Sequence, residues 1–167
     1  MVIDVTRILR HLLSAPWRVR RVFPAHSLSA IESAIRQCEA THAGEIRFAV
    51  ENALHPIPLL RNQSARRRAV EVFSQLRVWD TEHNNGVLIY LLLADHDVEI
   101  IADRGVHARV GQDEWERICR NMESMFRLGK FESGVIAGIQ AISAHLAKHY
   151  PAQGENWNEL ADRPVVL

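Results

Sequence analysis

What this sequence has little of narrows the reading first. Charge of one sign is missing from the balance: 20 lysines and arginines meet 20 aspartates and glutamates, for a formal net charge of zero. A chain that holds a nucleic-acid backbone needs a positive field, so no nucleic-acid partner is expected. Cysteine is scarce. Cys38 and Cys119 fall on apolar positions of expected helices, have no metal-ligand spacing between them, and read as small core residues in a reducing compartment. No apolar run is long enough to cross a bilayer, and the N-terminus lacks the ordered features of a secretory signal. The cytoplasm is therefore the expected location. A phosphate loop ending in Gly-Lys-Ser/Thr and a G-x-S-x-G elbow are both absent. Neither cysteine is followed at the right distance by the arginine of a cysteine-dependent phosphatase loop, and no organic cofactor is implied.

The rest is ordinary for one globular domain: 167 residues, 47% hydrophobic and 24% charged. The chain divides into an N-terminal arm (1–23), an α/β domain (24–151) and a C-terminal tail (152–167). In the arm, Val5, Leu9, Leu12 and Leu13 form one helical stripe with Arg7 and Arg10 beside it, and Pro16 ends the helix. Trp17, Arg18, Arg20 and Arg21 follow. Three surfaces could receive such an arm: its own domain, a second copy in an oligomer, or a membrane.

In the domain, Ser29 and Glu32 have capping-box spacing at the head of a helix that carries Leu28, Ile31, Ile35 and Cys38. Glu45 to Glu51 alternates and reads as a strand buried on one side, through Ile46, Phe48 and Val50. Pro56 and Pro58 mark a loop over 52–60. A second helix buries Ala69, Val72, Phe73 and Leu76, and the run Arg66, Arg67, Arg68 reads as its solvated face. Val87 to Leu93 is continuously apolar, the pattern of a central strand covered on both faces. Asp95-His96-Asp97 leaves room only for a hairpin into the antiparallel strand Val98 to Ala102. Two helices complete the domain, with Gly134 and Gly138 allowing close helix–helix approach. The tail shows no periodicity. This order predicts a three-layer α/β/α sandwich around a small mixed sheet.

That topology gathers chemistry at one end of the sheet. Glu45 opens the first strand, Asn84 and Asn85 open the second, and Asp103 ends the antiparallel third, with Asp80 and Glu82 nearby. Carboxylate and amide oxygens are hard ligands suited to calcium or magnesium, so Glu45, Asn85, Asp103 and Asp80 are candidate ligands. At the opposite end, Asp95-His96-Asp97 resembles the nucleophile motif of haloacid-dehalogenase phosphatases. The second aspartate there runs straight into another strand, and a polar hairpin is the better reading. His145 and His149, one helical turn apart, read as a solvated helix face.

Three segments together resemble a known family. Thr41-His42-Ala43-Gly44-Glu45-Ile46-Arg47, Asn85-Gly86-Val87-Leu88-Ile89-Tyr90 and Ile101-Ala102-Asp103-Arg104-Gly105-Val106-His107 are similar to the successive signatures of the TPM domain. So are Trp115, the stretch 126–131, Gly134, Gly138-Ile139 and Asn158-Glu159-Leu160. The resemblance implies an α/β/α sandwich, an acid-phosphatase activity on phosphomonoesters, an associated divalent ion, and an acidic edge at Glu45, Asn85 and Asp103. It would make Asp103 and Glu45 the catalytic pair of a metal-activated hydrolysis. It also implies LemA-type membrane proteins as partners, hence a place at the inner face of the membrane. Two function classes follow: a metal-binding interaction module and a metal-dependent phosphatase.

Overall fold

The structure, a computed structural model, describes residues 4–152 and 158–167; the first three residues of the arm and 153–157 of the tail lie outside them. Its centre is β2 (Gly86–Leu92), an unbroken apolar run in which every residue is buried. β1 (Glu45–Glu51) pairs with it in parallel, from Glu45 opposite Gly86 to Glu51 opposite Leu92. β3 (Asp97–Ala102) returns antiparallel after a tight turn through Asp95 and His96. The central position expected for this segment holds. A fourth strand was not expected: β4 (Val165–Val166), from the tail, pairs in parallel with β1 and makes the order β3-β2-β1-β4.

The helices form the outer layers: α1 (Val5–Leu12), α2 (Arg18–Val22), α3 (Ala25–Glu39), α4 (Pro56–Leu60), α5 (Ala65–Gln75), α6 (Arg104–Val110), α7 (Gln112–Arg127) and α8 (Phe131–His149). Three boundaries depart from expectation. α3 starts a turn before the Ser29–Glu32 pair, at Pro24, whose fixed φ suits a helix entry. The segment 52–60 contains α4, because Pro56 takes the first helical position, where its missing N–H costs nothing. Three helices rather than two follow β3, with Gly111 at φ 86° turning the chain between α6 and α7.

On one face of the sheet, Ile46, Phe48, Val50, Ile89 and Leu91 pack against Ile31 and Ile35 of α3, Ile118 of α7 and Ile139 of α8. Burying each such side chain contributes roughly 1.5–3 kcal/mol. α7 and α8 meet at the glycines: a Cβ on Gly134 would lie 2.6 Å from Phe126, and one on Gly138 would collide with the Met122 sulfur.

The other face corrects two readings. β1 is buried on both sides, so Glu45, Arg47 and Glu51 lie inside the protein beside Ala49, Leu88 and Tyr90. Arg68 explains how: its Nε donates to Glu51 Oε2 at 2.8 Å and its Nη2 to Oε1 at 3.2 Å, while the Tyr90 hydroxyl donates to Oε2 at 2.6 Å. Arg66 reaches Glu99 at 3.1 Å and the Ile100 carbonyl at 2.7 Å, on the outer edge of β3. The arginine run is thus a set of clamps, and of the three only Arg67 is exposed. His145 departs in the same way: it is half-buried and 2.8 Å from Glu114.

The arm packs on its own domain: Val19 and Phe23 of its second half enter the core, whereas α1 docks mainly with its polar side. Asp4 caps α1 through the Arg7 N–H. Arg7, Arg10 and His11 then converge on Asp95, at 2.9, 3.3 and 3.0 Å. His11 is buried, and its Nδ1 accepts the Leu54 N–H at 3.0 Å. Despite burial, Arg7 and His11 hold the Asp95 carboxyl below the ordinary carboxylate range. The stripe Val5, Leu9, Leu12 and Leu13 is left facing outward.

Candidate functional site

The backbones that were expected to meet at one end of the sheet do meet. Glu45 N–H donates to the Asn85 carbonyl at 3.3 Å and Asp103 N–H to the Gly86 carbonyl at 2.9 Å. Strand alternation then divides the side chains. Glu45, Gly86 and Asp103 share one face, whereas Asn85 belongs to the other. Two strand spacings, about 10 Å, separate Glu45 from Asp103. The missing Cβ of Gly86 admits the Val78 carbonyl into that gap, since a side chain there would collide with it.

Each candidate has its own local task. Both Glu45 oxygens accept backbone N–H groups of the tail, from Glu159 at 3.2 Å and Leu160 at 3.0 Å. Burial raises the Glu45 carboxyl above its ordinary range, and the two N–H groups oppose that rise. Asp103 caps α6, its Oδ1 accepting the Arg104 N–H at 2.6 Å, while its buried Oδ2 has no hydrogen-bond partner among the described residues. Asn85 donates through Nδ2 to the Ala43 carbonyl at 2.7 Å, and its buried Oδ1 meets no donor among the described residues. Asp80 is exposed. A Cβ on Gly105 would stand 2.7 Å from the Asn84 carbonyl, 2.9 Å from the Tyr150 hydroxyl and 3.3 Å from the His83 carbonyl, so oxygens crowd the start of α6. In kind, Asp103 Oδ2 with the backbone carbonyls of His83 and Asn84 near the start of α6 suits a hard cation, while the Asn85 oxygen lies on the other face of the sheet. Among the described residues, no three His, Cys, Asp or Glu side chains gather as a metal cluster.

Sequence reasoning missed a buried carboxyl pair beside this end. Glu39, the last residue of α3, accepts the Ile46 N–H at 2.7 Å. Burial, with Glu45 and Asp162 adding repulsion, pushes its pKa up to about 9. Asp162 is held by Arg36 at 3.2 Å and Asn158 at 2.7 Å. Arg47 is buried within the field of Asp162, Glu39 and Glu45. A signal existed: Ile31, Ile35 and Glu39 follow one another at i+4, so the buried stripe of α3 ends on an acid. A separate groove of about 370 Å³ runs between β3 and α7, lined in part by Asp97, Glu99 and Glu123. Burial and the two neighbouring glutamates raise Asp97 to about 6.

The fold and this polar sheet end define a small α/β/α domain of recognisable type. The TPM domain matches residues 20–145, and the chain belongs to that family. Among solved structures, the BA42 protein of the psychrophilic bacterium Bizionia argentinensis is 30% identical. That match covers 87% of this chain and 95% of BA42, with a TM-score of 0.77. The N-terminal domain of a protein from P. gingivalis is 18% identical over 79% of this chain and 83% of its own, with a TM-score of 0.64, a likeness of fold. No curated protein matches. No helix among the described residues is long and apolar enough to cross a membrane.

Proposed function

We propose that this TPM domain is an interaction module that binds a divalent cation and works with membrane-associated partners, LemA-type proteins being the class implied by the family. One observation carries the metal reading: Asp103 Oδ2 is a buried carboxylate oxygen with no hydrogen-bond partner among the described residues, at the sheet end where the His83 and Asn84 carbonyls crowd the start of α6. Leaving one such acceptor unmet costs about 1–3 kcal/mol, and a hard cation satisfies several oxygens at once. Asp103 would be the charged ligand, with backbone carbonyls beside it, whereas Asn85, on the other face of the sheet, would not share the ion. Glu45, committed to the tail, would hold the neighbouring chain in place.

Binding to the folded state alone raises the melting temperature. Calcium or magnesium added to chelator-treated protein should therefore raise it. Asp103→Asn, which keeps the helix cap, should abolish the response, and Asp95→Ala at the other end should leave it intact. Equal responses in the wild type and Asp103→Asn would remove the metal reading. Turnover of a generic phosphomonoester that Asp103→Asn abolishes would put the phosphatase reading in its place.

A further inference from the structure

We infer that the outward face of α1, continued by Trp17 and by α4, is a docking surface for an anionic lipid bilayer. This rests on the membrane-associated reading above and gives it a physical site. Amphipathic helices normally turn their apolar side to the core. Here α1 does largely the reverse: apart from Ile8, which packs on the core, it docks through the polar clasp on Asp95, and its apolar stripe is offered to the surroundings. Leu13 is 79% exposed, Val5 62%, Leu12 60% and Leu9 52%. α4 packs beside α1 and adds Ile57 at 66% and Leu60 at 53%. Trp17, 58% exposed, follows directly. Monomeric proteins rarely leave so much apolar surface together without a use for it.

Charge selects the occupant. From Val5 to Phe23 the sequence has five arginines and no acid. Arg7 and Arg10 are engaged by Asp95, and Arg18 lies 2.8 Å from His96. Arg20 and Arg21 are exposed, Arg21 standing over the Trp17 ring at 5.8 Å, and Arg61 is exposed just after Leu60. A second copy on the same face would bring like-charged rims together across a two-fold axis. An anionic bilayer answers both properties, taking the apolar side chains into the acyl boundary and the arginines among the headgroups. Trp17 suits the interface between the two. Because the clasp already fixes α1 as a helix, binding needs no folding step.

The test uses the full chain in chelator, so that the metal reading does not enter. Sedimentation with phosphatidylglycerol/phosphatidylcholine vesicles should carry the protein down, and phosphatidylcholine alone should not. Bromolipid should quench part of the tryptophan emission, and Trp17→Phe should remove that part. Leu9→Glu with Leu12→Glu, both at exposed positions, should lower vesicle affinity at least about tenfold with the melting temperature unchanged. Arg20→Gln with Arg21→Gln should erase the preference for anionic lipid. Absence of binding, or equal binding by the leucine variant, overturns the proposal. So does a concentration-dependent dimer that the leucine variant dissolves, which would assign the face to a second copy. Loss of vesicle binding with the calcium response intact would remove the bilayer site and leave the metal reading standing.

Discussion

On the face covered by α3, α7 and α8, the sheet presents Ile46, Phe48, Val50, Ile89 and Leu91. On the face covered by α5 and the tail, it presents Glu45, Arg47, Glu51 and Tyr90 among Ala49, Leu88 and Ile101. Both are buried, yet they are held differently. The first is stabilised by area and close packing, which tolerate exchanges that keep volume. The second is held by named partners: Glu51 needs Arg68 and Glu45 needs the tail. An apolar face specifies that something greasy must cover it. A polar buried face specifies which residue must.

The largest effect should come from emptying the apolar face. Phe48→Ala removes a fully buried ring that meets Phe23 edge-on, with centroids 5.6 Å apart, and should cost about 3–5 kcal/mol in urea unfolding. A loss below about 1 kcal/mol would mean that the core collapses around the gap and is less specified than described here.

The next test breaks a pair on the polar face. Arg68→Met leaves the Glu51 carboxylate buried with only the Tyr90 hydroxyl, and should cost about 3 kcal/mol. Adding Glu51→Leu should recover most of that loss, because the stranded charge goes with it. If the double variant is as unstable as the sum of its parts, the two residues are not coupled and the contrast between faces fails.

The smallest effect is a slope against pH. Folding raises the Glu39 carboxyl from 4.5 to about 9, so within that window the native state holds a proton that the unfolded chain releases. Stability contributed at this site therefore falls as pH rises through the window. Glu39→Gln keeps the oxygen that accepts the Ile46 N–H and removes the titration. Its melting temperature relative to wild type should be a few degrees higher at pH 8 than at pH 5. A difference that does not change with pH would place Glu39 ionised in the folded protein.

The central strand was legible because Val87 to Leu93 is apolar without interruption, a pattern few other environments accept. The convergence of Glu45, Asn85 and Asp103 followed from topology, and their backbones do adjoin. Their side-chain tasks were not legible. Those depend on partners such as Leu160, 115 residues from Glu45, that no local pattern announces. The second face of β1 was misread because alternating charge usually means solvent, and here Arg68 lies a helix away. Likewise the arm's inverted docking depends on Asp95, 88 residues from Arg7. β4 was missed because two residues are too few to show a period.

That short strand has a consequence for the chain as it is being made. Glu45 to Glu51 leaves the ribosome early, whereas Val165 and Val166 follow more than a hundred residues later. Until they arrive, the outer edge of β1 beside Ala49 and Val50 has no neighbour in the sheet. An unpaired edge next to apolar residues is a template for pairing with another nascent chain. Glu39, already bonded to Ile46 from the preceding helix, closes one end of that edge locally. In the interval before the tail arrives, this edge of the sheet is open to such pairing, and β4 closes it only when synthesis is nearly complete.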